Sequence, residues 1–167
     1  MPEPEFRPEL LLDVLARHEV RHVLIGGFAG VIHGSPYVTT DVDVVPDDDP
    51  ANLERLAAAL DDLHARVWTT DDPEGVPFDH DAASLAAVRV WNLVTDHGRL
   101  DIVFEPSGTA GYADVARDAV TLAILGTRVD VASLADVIRS KEASGRDKDR
   151  LALPVLRRIL AETETEG

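Results

Sequence analysis

The chain has 167 residues, 45% of them apolar, and carries 31 Asp and Glu against 16 Lys and Arg, for a formal net charge of −15. That length supports one domain with a sizeable core, and that charge excludes a broad basic surface for nucleic acid while leaving room for a local basic groove. Cysteine is absent, which excludes disulfides and thiolate zinc sites. No apolar run reaches the length of a bilayer span, and the acidic, amphipathic start does not read as a signal peptide. The expectation is a cytoplasmic protein with no membrane partner.

In chain order, residues 8–19 predict an amphipathic helix with Leu11, Leu12, Leu15 and Ala16 on one side and Pro8 in the first turn. "HVLIGG" reads as a short buried strand, and "FAGVIHG" as a helix stopped at Gly34 with Pro36 just beyond. "DVDVVP" is the next strand. "DPANLERLAAALDDLHA" is a helix with Asp49 as N-cap and Pro50 at the first position, followed by a strand in "ARVWTT". Residues 70–86 are acidic and turn-rich and read as a long loop. "AVRVWNLVT" and "RLDIVFEP" form strands around the turn "DHG". "AVTLAILG" and "TRVDVAS" form two more around Gly126. The end is helical: "SLADVIRSKEASG", with Ser133 as N-cap and Asp136 three residues on, then "DKDRLALPVLRRILAE", which Pro154 is placed to kink or divide. The order predicts an α/β (α+β) fold, one mixed sheet covered by helices. Residues 1–132 form the core, and 133–167 a C-terminal helical segment packed on the same domain.

The chemistry concentrates in "LIGGFAGVIHGSPYVTTDVDVV", residues 24–45. Strand alternation points Asp41 and Asp43 the same way among Val42, Val44 and Val45. Two close, partly desolvated carboxylates repel, and one protonates unless a cation neutralises both. Carboxylate oxygens suit Mg²⁺ or Mn²⁺. Asp101 is the candidate third carboxylate: Leu100, Ile102 and Phe104 face the core and leave Asp101 on the other side. Three carboxylates suit a pair of metals that clamp both oxygens of a phosphoryl transfer. Gly26 and Gly27, between strand and helix, let backbone N–H groups approach a phosphate, favoured by the helix dipole.

The only lysines are Lys141 and Lys148, and residues 139–150 hold five cations and three anions, a relative basic island in an acidic chain. Lys141 reads as functional; Arg139, Lys148 and Arg150 read as a solvated helix surface. Asp149 is either a surface anion or a partner that orients Arg146. The six histidines have no metal-ligand spacing, and His33 reads as a helix-terminal hydrogen bonder. Trp68 and Trp91 read as packing residues.

Gly26, Gly27, His33, Gly34, Thr39, Asp41, Asp43 and Asp101, followed by Lys141, Gly145, Arg146 and Asp149, resemble the minimal nucleotidyltransferases of the DNA polymerase β superfamily. The likeness spans residues 20–150 and is nearest to the bacterial abortive-infection (AbiEii-like) toxin type. Many relatives have Gly-Ser in place of Gly26-Gly27 and an arginine at Tyr37. The resemblance implies a Mg²⁺-dependent (or Mn²⁺-dependent) enzyme that moves a nucleoside monophosphate from NTP to an acceptor and releases pyrophosphate. It implies that Asp41 and Asp43 hold both metals, and that Asp101 holds one and helps deprotonate the acceptor. Gly26, Gly27, Thr39, Lys141 and Arg146 would bind the nucleotide. Implied partners are an RNA acceptor (tRNA ends among them) or a protein acceptor, and a cognate antitoxin. Two rivals stand beside this reading: a transferase acting on a protein or on a small molecule such as an aminoglycoside, and a catalytically silent nucleotide-binding or antitoxin module of the same fold.

Overall fold

The structure is a computed structural model and describes residues 3–166; positions 1, 2 and 167, the outermost ends of the two predicted segments, lie outside the described residues. Seven strands form one mixed sheet: β1 (His22–Ile25), β2 (Asp41–Pro46), β3 (Arg66–Val67), β4 (Val90–Thr95), β5 (Gly98–Val103), β6 (Val120–Ile124) and β7 (Thr127–Val131). Their spatial order is β3-β4-β5-β2-β1-β7-β6. β2 with β5 and β1 with β7 are parallel, and the other neighbours are antiparallel.

The helices are α1 (Pro8–Arg17), α2 (Gly26–Ile32), α3 (Pro50–Asp62), α4 (Ala82–Ala86), α5 (Tyr112–Arg117), α6 (Leu134–Ser144) and α7 (Asp147–Glu166). α2 packs on β1 and β2, α6 packs on α2, and α7 packs on α6. Leu156 of α7 packs over Gly30 of α2, its Cδ2 3.7 Å from where a Cβ would stand, an ordinary contact distance. Val42, Val44, Leu100 and Ile102, the alternate residues of the two central parallel strands, are buried in the core with Leu24, Leu56, Leu60 and Leu156. This alternation is the one read from the sequence, and it leaves the aspartates between them on the other face.

Four local expectations are corrected. The predicted strand "HVLIGG" stops at Ile25, and the two glycines open α2 instead. Asp49 stands at the N-cap of α3 with Pro50 after it, as expected, but its side chain makes no capping hydrogen bond, and its own N–H donates to the Asp47 carboxylate at 3.1 Å. The long loop of 70–86 contains α4, whose N-cap Asp81 accepts from the Ser84 N–H at 2.8 Å. α7 is not divided at Pro154; Arg150, whose carbonyl loses its partner there, and Pro154 itself are both exposed, so water can take the place of the missing N–H. Ser133 caps α6 as expected, accepting from the Asp136 N–H at 3.1 Å. α5, which follows a glycine turn, was not anticipated.

Candidate active site

The parallel pairing of β2 and β5 sets Asp43 opposite Asp101 and Asp41 opposite Arg99. Residues paired in register share a face, so the three carboxylates converge: one oxygen from each of Asp41, Asp43 and Asp101 lies within 4.8 Å of the others. β1 pairs antiparallel on the far side of β2 and brings Ile25 opposite Asp43. Gly26 therefore starts α2 directly beside that carboxylate. Its φ is +78°, and a Cβ on it would stand 2.0 Å from Asp43 Oδ2. Only glycine fits both the backbone angle and the space.

Electrostatics follow from this crowding. Burial, then the Asp41 charge, pushes the Asp43 carboxyl up to about 6, with Lys148 and Arg146 acting in the opposite direction. Burial, then the charges of Asp43 and Asp41, pushes Asp101 up to about 8. Three anions held this close favour a proton or a metal between them. The donor set fits a hard divalent ion: all donors are oxygens, with no sulfur or imidazole among them. The Asp101 side chain is 13% exposed.

The cations come from α6 (Lys141), the turn after it (Arg146), α7 (Lys148) and β5 (Arg99). A cavity of about 370 Å³ runs from Gly27, Thr39, Asp41 and Asp43 to Arg99, Lys141, Arg146 and Lys148. A second, of about 300 Å³, opens on the Asp101 side with Asn92, Ser107, Ser140 and Ser144, and shares Asp41, Asp43, Arg146 and Lys148 with the first. Thr39 Oγ donates to the Asp41 carbonyl at 3.2 Å and lies 3.3 Å from its carboxylate. Asp149 is fully buried and accepts from Lys141 Nζ at 3.3 Å, Arg146 Nε at 3.0 Å and Ser144 Oγ at 2.8 Å. It is an orienting anion for Lys141 as well as for Arg146, which decides between the two readings of this residue. Burial raises its carboxyl, but the hydrogen bonds from Ser144 and Arg146 and the Lys141 charge outweigh that and hold it below the usual carboxylate range.

All eight residues expected at the site meet at this cleft: Gly26, Gly27, Thr39, Asp41, Asp43, Asp101, Lys141 and Arg146. Arg139, which pairs with Asp114 and Asp136, and Arg150, which lies near Asp147, remain helix-surface residues. Lys148 does not: it lines both cavities. Arg99 was missed altogether. Trp68, read as packing, lies under the Arg99 guanidinium, 3.8 Å from ring centroid to Cζ. Trp91 does pack, stacked on Phe78 at 5.0 Å. His33 is hydrogen-bonded from the end of α2 to the Ala132 carbonyl at 2.8 Å, the helix-terminal role expected of it.

No protein-family model and no curated protein matches the chain. Solved structures do resemble it. The lincosamide antibiotic adenylyltransferase LnuA, bound to lincomycin, aligns with a TM-score of 0.61 at 15% identity, covering 94% of this chain and 99% of its own. A Thermotoga maritima protein provisionally assigned as a nucleotidyltransferase aligns at 0.55 and 16% identity, covering 95% and 97%. The chain thus has the nucleotidyltransferase fold, a mixed sheet flanked by helices, over nearly its whole length.

Proposed function

We propose that the chain is a nucleotidyltransferase that moves a nucleoside monophosphate from a metal-bound NTP to an acceptor hydroxyl. The single observation that carries this reading is the convergence of Asp41, Asp43 and Asp101 beside the glycine start of α2, facing Lys141, Arg146 and Lys148 across two adjoining cavities. A divalent ion held by the three carboxylates, Mg²⁺ or Mn²⁺, would neutralise them and the charge of the phosphates. Gly26, Gly27 and Thr39 line the side where a triphosphate meets backbone N–H groups and a helix N-terminus. Lys148, as a point charge, and the planar Arg146 guanidinium supply positive charge for the β- and γ-phosphates, while Lys141 lines the same cavity with its charge shared with Asp149. Asp101, on the side of the second cavity, is placed to orient the acceptor hydroxyl and take its proton. Catalysis of this kind is mostly positioning and charge stabilisation.

The resemblance in the motifs favours a toxin-like enzyme with RNA, tRNA ends included, as acceptor, and a cognate antitoxin as partner. A small hydroxylated molecule is the second acceptor reading. It is favoured by the lincomycin bound to one fold neighbour and by a net charge of −15, in which 31 acidic residues against 16 basic ones disfavour an RNA backbone.

The test is incubation with α-³²P-NTP and, separately, γ-³²P-NTP, with total RNA, with cell lysate, and with a panel of hydroxylated antibiotics including a lincosamide. Label from the α-position should move to one acceptor class, and label from the γ-position to none. Asp43→Asn should abolish transfer. Transfer of γ-label, or NTP binding with no acceptor labelled, defeats the transferase reading and favours the silent binding module.

A further inference from the structure

Arg99 sits two residues before Asp101 on β5 and on the same face of the sheet. It is pinned from behind. Trp68 follows β3, its N–H donates to the Asn92 carbonyl at 2.9 Å, and Asn92 is the register partner of Asp101 on β4. The indole thus lies in the row that runs across the sheet to the carboxylates, and its face carries the Arg99 guanidinium at 3.8 Å. Trp68 is in turn tied through its indole N–H, which donates to Glu3. From this platform Arg99 Nη2 reaches to 3.7 Å from Asp101 Oδ1. That oxygen is sealed from solvent and has no hydrogen-bond partner among the described residues; neither does Arg99 Nε. On its other side the Asp101 carboxyl meets Asp41 and Asp43.

We propose that Arg99, clamped on Trp68, is a positioning residue for Asp101: it holds the sealed Oδ1 and so turns Oδ2 toward the metal and the acceptor. This rests on the metal-dependent reading above. A planar, stacked guanidinium suits the task because it is fixed by the ring face and presents its N–H groups edge-on to a carboxylate. Oδ1 is buried and Arg99 is the cation beside it, so the charge acts on the orientation of this carboxyl, although Arg99 also lines the cavity shared with Lys141 and Lys148.

The sign of one measurement separates this role from a bystander charge. Removing a cation near a metal site reduces repulsion and strengthens metal binding; removing the support of a ligand weakens it, commonly by ~10- to 100-fold for such outer partners. The experiment is calorimetric titration of Mn²⁺ into the full chain without nucleotide, with melting temperatures in parallel. Arg99→Gln is expected to weaken Mn²⁺ by ~10-fold, and Trp68→Leu, which leaves the charge in place, to weaken it in the same direction. Arg99→Lys, which keeps the charge and loses the planar stack, should fall between wild type and Arg99→Gln. In an Asp101→Asn background Arg99→Gln should add nothing, because its effect passes through Asp101. Unchanged or tighter Mn²⁺ binding in Arg99→Gln, or a loss of the same size in the Asp101→Asn background, overturns the proposal. If Arg99→Gln does not fold, Arg99→Lys and Trp68→Leu, each with and without Asp101→Asn, decide it on the same criteria. Wild-type protein that binds no Mn²⁺ defeats the metal reading itself, and this inference falls with it.

Discussion

Gly26 and Asp43 exclude any side chain between them: the position of a Cβ on the glycine is 2.0 Å from the carboxylate oxygen Oδ2, and the glycine φ is +78°. Gly26→Ala must therefore move the aspartate or the start of α2. The left-handed angle alone costs an alanine ~1–2 kcal/mol, which in a chain of this size lowers the melting temperature by about 2–8 °C. Divalent-metal binding should be lost as well, since Asp43 cannot keep its place. Gly27→Ala is the control: its Cβ would meet Thr39 Oγ at 3.2 Å, a contact that a small shift relieves. Circular-dichroism melts with Mn²⁺ titration check both; a Gly26→Ala variant that binds Mn²⁺ like wild type contradicts the argument.

The acidic cluster makes the metal-free fold sensitive to alkali. Asp43 and Asp101 titrate near 6 and 8 in the fold, against about 3.9 in an unfolded chain. Between those limits the native state holds protons that the unfolded state has released. Stability therefore falls as pH rises from about 4 to about 8, at ~1.4 kcal/mol per pH unit for each such proton. The expected result is a melting temperature that declines from pH 5 to pH 8 in EDTA. Saturating Mg²⁺ should cancel the decline, because it binds the ionised carboxylates only in the fold. Asp101→Asn should flatten the EDTA curve and raise it at pH 8. A flat wild-type curve would mean that neither burial nor mutual repulsion raises these carboxyls in the fold.

The residues legible in the sequence are those whose reason is local. Asp41 and Asp43 show through strand alternation inside an apolar run, and Asp101 shows because Leu100 and Ile102 claim the opposite face. The glycine pair stands at a strand-to-helix change that pattern alone reveals, to within the two residues by which the strand was drawn too long. Arg99 and Trp68 carry no such signal: they meet because β3 and β5 flank β4, and strand order is not written in spacing. Lys148 looked like any exposed helix cation, since its place at the cleft depends on the turn through Gly145, where φ is +64°. α5 is six residues long and opens after Gly111, which has a φ of 96° and gives no side-chain cap; that is too short for a periodic pattern to stand out.

Asp149 should govern the stability of the C-terminal helices and the grip on nucleotide together. It is fully buried and holds Lys141, whose side chain is only 11% exposed. Asp149→Asn keeps the shape and removes the charge, leaving Lys141 without its counter-ion; breaking a buried pair this way costs ~3–5 kcal/mol. The melting temperature should drop by on the order of 10 °C, and ATP affinity should fall because the cations at the cavity wall lose their anchor. In the wild type the Asp149 carboxyl is held below its usual range, so its contribution is present above about pH 4 and is lost on acidification below that. A variant with wild-type melting and weakened ATP binding would show that Asp149 acts on the ligand alone.

The two lysines should separate into a structural and a binding role. Lys141 lines the cavity yet spends its charge on Asp149, whereas Lys148 is exposed, lines both cavities and acts on the Asp43 carboxylate. Lys148→Ala removes no paired group, so its melting temperature should stay within about 2 °C of wild type. Its ATP affinity should fall by about 10- to 150-fold, the range of one charge-assisted contact, while AMP affinity changes little, because the contact is with phosphates that AMP lacks. Lys141→Ala should lower the melting temperature markedly, since it leaves a buried carboxylate short of a partner, and should weaken ATP by a comparable or smaller factor. Calorimetric titration of ATP and AMP in Mg²⁺ against each variant, with melts alongside, reads both quantities. The opposite division, with ATP affinity unaffected in Lys148→Ala and lost in a stable Lys141→Ala, would make Lys141 leave Asp149 for the triphosphate when nucleotide binds.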